Sequence, residues 1–321
     1  MTIAIDADCA LAYWMSSAAT REACKQPSGN RFAKRLAKRD LPEWARAPDG
    51  RFHCVATDSR KRLHSKDMLF RYAKTALPAG SYIEVENGLA IASPECCFFR
   101  LATLLPVAEL VKAGMLLSAN FAFDDMGNLA GRRKSSTCAK RLYSYIDEIE
   151  NANGVKLARQ AVRFLSDAAA LPPEIDACLL FSLPVRLGGY GCSVPELNGH
   201  IKLSSKIARG LGYEDCYCDL LWRKRKCVVE YTSELHHSGY RKQAKDEMRR
   251  AALEAMGYRV FLLTKTQLYT QAAFEGFARS VLRVQGKRIP ENSTRFRAAH
   301  YELRKMLLHE PSWVISRACG G

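Results

Sequence analysis

The chain has 321 residues, a formal net charge of +16 and 48% hydrophobic residues, which predicts two folded domains with buried cores. It contains no run of 18 apolar residues, so we expect no transmembrane helix, and its acidic beginning is unlike a basic signal peptide. These features predict a cytoplasmic protein. The excess of positive charge makes nucleic acid the leading candidate partner.

The N-terminal half gives the weaker structural signals. Residues 1–58 are poorly readable, although a helix is indicated over residues 31–39. Residues 59–125 are predicted to be a mixed α/β region, and residues 126–170 a loop followed by connecting helices. We expect this part of the chain to be mainly helical, with one small β-hairpin.

That hairpin is predicted from a strand over residues 81–86, the turn pair Asn87 and Gly88, and a return strand over residues 89–92. Ser93 then marks a helix start, because serine is a good N-cap when a proline follows at the first helical position.

The loop over residues 126–140 is rich in basic and hydroxyl side chains, and Arg132, Arg133 and Lys134 lie at its centre. We interpret it as a boundary region that contacts phosphate groups. Helices are predicted on its C-terminal side over residues 142–149 and 156–169.

The stretch from Cys216 to His237 organises the C-terminal half. Residues 217–222 and 227–232 are predicted to be two strands, since Val228, Val229 and Tyr231 suit a pleated, largely buried strand, and the basic residues 223–226 form the turn between them. Asp219 lies inside the first strand and Glu230 inside the second. Because a buried carboxylate is costly unless it is paired or binds a metal, the two could share one Mg²⁺. The alternative is that both face solvent or pair with a lysine or arginine.

Further elements surround this hairpin. Two prolines and Glu174 open a helix over residues 174–183, and a strong helix pattern covers residues 241–256, with Ala244, Met248 and Ala252 as its apolar side. A strand over residues 258–264 and helices over residues 266–284 and 292–308 complete a domain over residues 171–310. Residues 311–321 are interpreted as a tail.

Asp219, the segment at residues 230–233, the His236–His237 pair, and a helix with Asp246 and Arg249 together resemble the PD-(D/E)xK restriction-endonuclease-like superfamily. The closest resemblance is to the domain of unknown function that is related to very-short-patch-repair endonucleases and occurs in actinobacterial AbiEi-like antitoxin proteins. Residues 91–102 and 183–198 are similar to the same family. The resemblance implies an α/β (α+β) fold whose C-terminal mixed sheet is flanked by helices.

The resemblance also implies roles for individual residues. Asp219 and Glu230 would hold Mg²⁺ or Mn²⁺, with the backbone carbonyl of Tyr231 as a further ligand. Glu174 would complete the metal or phosphate site, or would instead only compensate the helix dipole. Thr232 stands where the superfamily has lysine, and three residues are substitutes for that lysine: His236, His237 and Lys245.

Two functions follow from this resemblance, a metal-dependent DNA endonuclease and a catalytically impaired, antitoxin-type regulator that binds nucleic acid, with a cognate toxin or another protein as partner. A basic scaffold that binds only protein is a third alternative. The residues expected to contact nucleic acid are Arg223, Lys224, Arg225, Lys226, Arg241, Lys245 and Arg249.

The sequence contains twelve cysteines, most of them in apolar segments, and we interpret them as buried thiols. A zinc site that combines Cys216 and Cys218 with Cys192, Cys227 and His236 is an alternative, but the spacing is not a known zinc pattern.

Overall fold

The computed structural model describes residues 3–16, 47, 50–56, 66–72, 77–84, 90–124, 128–232, 240–290 and 292–309. The chain divides into an N-terminal unit, residues 1–167 with 309–321, and a C-terminal unit, residues 168–308. Both combine helices with β-sheets, so the predicted mixed α/β class is confirmed. None of the described helices is long and apolar enough to cross a membrane.

The N-terminal unit contains a five-stranded sheet. Its strands are β1 (Ile3–Ile5), β2 (Phe52–Ala56), β3 (Met68–Tyr72), β4 (Tyr82–Glu84) and β5 (Ala90–Ala92). They lie in the order β3-β2-β1-β5-β4. The antiparallel pairing of β4 with β5 confirms the predicted hairpin. The β structure is larger than the small hairpin that the sequence predicted, because β1, β2 and β3 extend it into a five-stranded sheet. β1 has only three residues, too few for alternation to reveal it.

Helices and a second, two-stranded sheet complete this unit. The helices are α1 (Ala7–Met15), α2 (Pro94–Leu101), α3 (Val107–Leu117), α4 (Ala139–Asp147) and α5 (Val155–Ala161), and the strands are β6 (Phe121–Phe123) and β7 (Leu129–Arg132). The Ser93 hydroxyl accepts the N–H of Cys96 at 3.2 Å, which confirms the predicted cap of α2. The helix expected up to residue 169 is shorter, because the chain is already extended at Leu165. The helix expected over residues 31–39 lies outside the described residues.

Arg133 is one residue of the predicted phosphate-contacting loop that has a structural role instead, whereas Arg132 and Lys134 are exposed. The side chain of Arg133 is buried and donates to the backbone carbonyls of Trp14, Leu116 and Phe121 at 2.6 to 2.9 Å. Burial lowers the pKa of this guanidinium to about 10. Arg133 therefore joins three segments of the unit by satisfying buried carbonyls, and it is not available to a ligand.

The C-terminal unit contains a four-stranded mixed sheet. The elements of this unit, in chain order, are α6 (Pro172–Ser182), β8 (Glu196–Lys202), α7 (Ser205–Leu211), β9 (Asp215–Trp222), β10 (Cys227–Thr232), α8 (Tyr240–Ala255), β11 (Arg259–Thr264), α9 (Lys265–Tyr269), α10 (Gln271–Gln285) and α11 (Thr294–Arg304). The strands lie in the sheet in the order β11-β10-β9-β8. β9 is antiparallel to both β8 and β10, whereas β11 is parallel to β10. The predicted hairpin of β9 and β10 and the helix α8 are confirmed. The helix expected over residues 266–284 is two helices, because Thr270 adopts an extended conformation between them.

Apolar side chains pack on this sheet in two groups. One group joins β8, β9 and β10 to α7 and α8 through residues such as Ile201, Val228 and Leu253. In the other, the ring of Phe181 on α6 lies 5.6 Å from Trp222 on β9 and 5.7 Å from Phe274 on α10. Helices therefore supply buried apolar surface to the sheet, which is what stabilises it.

The apolar side of α8 differs from the predicted one. Ala244 and Met248 are exposed, Met248 by 50%, whereas Ala252 and Leu253 are buried. The buried contacts described for this helix therefore lie in its C-terminal half, and residues 244–248 are exposed.

The glycines after α6 serve packing. A Cβ at Gly188, where φ is +87°, would lie 2.3 Å from the carbonyl oxygen of Ala299, and one at Gly189 would lie 2.1 Å from that of Leu183. The segment is thus a tight turn against α11. The ten cysteines that the structure describes are all free and nine are buried, which confirms their interpretation as thiols.

Candidate active site

The candidate site lies where the pairing of β9 with β10 ends. The last paired residues are Leu220 and Val229, and the same register continued by one residue sets Asp219 opposite Glu230. Residues in opposite positions of an antiparallel pair project from the same face of the sheet. Here Asp219 replaces a ladder bond, since its carboxylate accepts the N–H of Tyr231 at 2.7 Å. The fold thus brings together the two strand carboxylates that the sequence indicated.

Glu174 adds a third carboxyl group from the first turn of α6. Its side chain is 1% exposed and accepts the N–H of Ala170 at 2.8 Å. Burial, with Asp219 and then Glu230 as further causes, raises the pKa of Glu174 to about 8. An effect of both strand carboxylates on this group requires that all three lie close together.

Arg249 of α8 is the cation of this site. Its Nη2 donates to Glu230 Oε1 at 2.7 Å, and the two side chains are 31% and 13% exposed. Burial and Asp219 raise the pKa of Glu230 to about 8, although Arg249 acts in the opposite direction. Burial also raises the pKa of Asp219, against the effects of the Tyr231 N–H and Arg249. The site therefore holds more buried carboxyl groups than one guanidinium neutralises.

The same guanidinium is fixed by the neighbouring strand. Arg249 Nε donates to the Cys216 sulfur at 3.2 Å, and Nη2 donates to the carbonyl of Tyr217. A hydrogen bond from Cys218, together with Arg249, lowers the pKa of the Cys216 thiol to about 6. The sequence predicted Arg249 as a nucleic-acid contact, whereas the structure shows it as the partner of Glu230. Its spacing along α8 gave no signal for that role.

Of the other predicted site residues, the structure describes Thr232 and Tyr231 at the end of β10. Thr232 is the last residue of β10, pairs in register with Thr264 and is half-buried. Tyr231 is also half-buried, and its backbone faces Asp219. His236 lies outside the described residues, as do the side chain of Arg241 and the whole of His237.

Two of the four cations in the turn between β9 and β10 form hydrogen bonds within the unit. Arg223 forms a bidentate pair with Glu196, at 3.0 and 2.6 Å, and Lys226 donates to the carbonyl of Met256 at 3.0 Å. Lys224 and Arg225 are exposed, as is Lys245 on α8. These last three side chains are the predicted nucleic-acid contacts that remain directed to solvent.

Among the described residues, the only three ligands of the His, Cys, Asp and Glu types that lie within 4.8 Å of one another are in the N-terminal unit: Asp8, Cys9 and His53. Asp219 contributes to the raised pKa of both Glu174 and Glu230, but the ligand oxygens of these three residues do not all lie within 4.8 Å of one another. Cys216 and Cys218 do not form such a group either, so the zinc alternative has no support in the described residues.

The cluster around Asp8 is an ion-pair network that the sequence did not indicate. Asp6 accepts two hydrogen bonds from Arg100, at 2.8 and 2.7 Å, and Arg71 lies 3.2 Å from Asp8, which also bonds to His53. Burial acts against ionisation of Asp8, but His53 and Arg71 outweigh it and hold the pKa of Asp8 below its usual range. Two carboxylates balance two arginines here, so a further cation would meet no excess negative charge.

Cys9 is a poor metal ligand for a related reason. Burial and the charge of Asp8 raise the pKa of this thiol far above its usual range. Since metals bind the thiolate, this group would have to ionise at high cost. The network thus joins the start of α1 to β2, β3 and α2 through His53, Arg71 and Arg100.

Comparison of the chain with family models, with curated proteins and with solved structures finds no match.

Proposed function

We propose that the C-terminal unit is a metal-dependent nuclease domain of the PD-(D/E)xK type that hydrolyses phosphodiester bonds of DNA. The observation that carries the proposal is the placement of Asp219 and Glu230 in opposite register positions where the pairing of β9 with β10 ends, with the buried Glu174 near enough to feel the charge of both. The mixed sheet, with helices packed on it, agrees with the fold that the sequence resemblance implies.

The carboxyl groups fit a divalent cation in charge and type. Mg²⁺ and Mn²⁺ prefer carboxylate oxygens, and burial together with the charge of Asp219 raises the pKa of Glu174 and Glu230 to about 8, so a cation would stabilise their ionised forms. When bound, the cation would supply Lewis-acid stabilisation of the phosphate and an activated water.

The residues of the chain itself would hold the cation in place. Asp219 and Glu230 would be the ligands from the strands, with Tyr231 as a backbone ligand and Glu174 as the group from α6. The N–H of Tyr231 already fixes one oxygen of Asp219. Arg249 holds Glu230 against the sheet and supplies the positive charge that Thr232 cannot provide.

A second candidate function is a nucleic-acid-binding regulator without cleavage. It is favoured by Thr232 at the position of the superfamily's lysine and by the pairing of Glu230 with Arg249, which satisfies that carboxylate without a cation. The exposed cations Lys224, Arg225 and Lys245 would serve either function.

Cleavage of plasmid and oligonucleotide DNA separates the two candidates. We expect the wild type to cut in Mg²⁺ or Mn²⁺, and Glu230→Gln to lose cleavage but keep DNA binding, since the amide keeps the shape and loses the charge. Thr232→Lys should raise the rate, because a water-orienting group contributes about 10²- to 10⁴-fold. The matched control is Glu214→Gln, an exposed glutamate of the same unit. DNA binding without cleavage in the wild type and in Thr232→Lys would favour the regulator.

A further inference from the structure

The end of α10 forms a basic cavity that lies apart from the carboxyl groups. The cavity has a volume of about 610 Å³, and it is lined by Arg279, Leu282, Arg283, Gly286, Lys287, Arg288 and Ile289. Four of these seven side chains are cationic, and none of the described lining residues is acidic. We name this feature the α10 cavity.

Helix geometry explains how these cations converge. Arg279 and Arg283 are four residues apart, so they lie on one face of α10. At Gly286, where φ is +68°, the helix ends and the chain turns back, and the N–H of Lys287 donates to the carbonyl of Leu282 at 2.8 Å. This Schellman-type turn directs Lys287 and Arg288 to the same cavity as the helical arginines.

Helix-dipole compensation does not account for this arrangement. One or two cations in the last turn would be enough for that effect, whereas Arg283, Lys287 and Arg288 bring three into one concavity, where like charges repel one another. A ligand with negative charge removes the repulsion. Phosphate fits best, because arginine forks bind its oxygens in a bidentate manner and lysine adds a point charge.

The shape favours a strand over a compact ligand. A second hollow shares Ile289 with the α10 cavity and continues along Pro290, Asn292 and Ser293. The last turn of α10 also lies near the first residue of β10, since Gln285 contacts the Cys227 thiol. Glu230 is three residues further along β10, about 10 Å at the usual rise of a strand.

We propose that the α10 cavity binds phosphate groups of the nucleic-acid backbone and so forms a second contact beside the carboxyl site. The proposal rests on the proposed function only for the identity of the polyanion, because the cavity itself takes no part in cleavage. The phosphates could equally belong to a free polyphosphate, and the test includes that source.

The experiment is DNA binding in EDTA, by fluorescence anisotropy of a labelled duplex over a range of NaCl concentrations. We compare the wild type with Arg283→Gln/Lys287→Gln and with the control Arg163→Gln/Lys156→Gln, which removes the same charge from exposed positions of the N-terminal unit. The loss of two phosphate contacts should reduce the slope of log K against log [NaCl] by about 1.8. If affinities converge near 1 M salt, this slope corresponds to roughly 60-fold weaker binding at 0.1 M.

An unchanged slope in the Arg283/Lys287 variant, or an equal loss in the control, would overturn the proposal. So would tripolyphosphate binding that depends on Arg283 and Lys287, measured by calorimetry, while duplex binding does not. Because EDTA prevents metal-dependent cleavage, these results are independent of the nuclease assay. If the protein cleaves DNA but the variant leaves the slope unchanged, only the proposal for the α10 cavity is rejected. If the slope is reduced but the protein does not cleave DNA, only the proposed nuclease function is rejected.

Discussion

Replacement of Glu174 by glutamine is the prediction that tests the buried carboxyl groups most simply. Glu174 is 1% exposed, and its pKa rises from 4.5 to about 8, chiefly through burial. The unfolded chain therefore releases this proton near pH 4.5, whereas the folded chain keeps it until about pH 8. Between these values the unfolded state binds fewer protons, so the free energy of unfolding falls as the pH rises.

The size of the effect follows from linkage. Each pH unit within this window costs about 1.4 kcal/mol, so ionisation of Glu174 costs on the order of 3 kcal/mol by pH 7 and nearly 5 by pH 8. Glutamine cannot ionise, and its amide oxygen can still accept the N–H of Ala170. We therefore expect Glu174→Gln to be more stable than the wild type at pH 8, with little of that gain at pH 4.5.

Urea unfolding in EDTA at pH 4.5, 6 and 8, followed by tryptophan fluorescence, measures this difference. The control is Glu214→Gln, an exposed carboxylate of the same unit, which should not alter the pH dependence by more than a few tenths of a kcal/mol. A stability difference between Glu174→Gln and the wild type that is the same at every pH would refute the reasoning, because it would show that Glu174 ionises normally in the folded chain.

Two further substitutions test the buried ion pairs. Asp6→Asn leaves Arg100 buried without its bidentate partner and should lower the free energy of unfolding of the N-terminal unit by about 3–5 kcal/mol, measured by calorimetry; a loss below 1 kcal/mol would contradict this account. Arg249→Gln should cost more stability at pH 9 than at pH 6, because Glu230 ionises only near pH 8, and a pH-independent loss in urea titrations would show that the pair is not ionic.

The sequence was most informative where patterns are local. The hairpin of β9 and β10, the helix α8 and the cap at Ser93 follow from alternation, helical spacing and capping chemistry, and all are present. The positions of Asp219 and Glu230 on two adjacent strands were enough to predict that they would face each other. Glu174 is 45 residues from Asp219 in the chain, and it was included through the family resemblance.

Other features depend on long-range contacts and gave no local signal. β1 and β3 become strands because they pair with β2; β1 has only three residues, and β3 shows no alternation of apolar and polar side chains. The pairing of Arg249 with Glu230 joins a helix to a strand, so no spacing within either element indicates it. The partners of Asp6 lie 65 and 94 residues away, and only the fold brings Arg71 and Arg100 to it.

Mn²⁺ titration at pH 8, followed by electron paramagnetic resonance, directly measures whether Glu174, Asp219 and Glu230 hold a divalent cation. We expect one Mn²⁺ per chain in the wild type, and affinity reduced by about tenfold or more in Asp219→Asn, since loss of even an outer contact often costs that much. Asp8→Asn should leave Mn²⁺ binding unchanged. Binding that survives Asp219→Asn but is lost in Asp8→Asn would place the metal in the N-terminal unit and contradict the account.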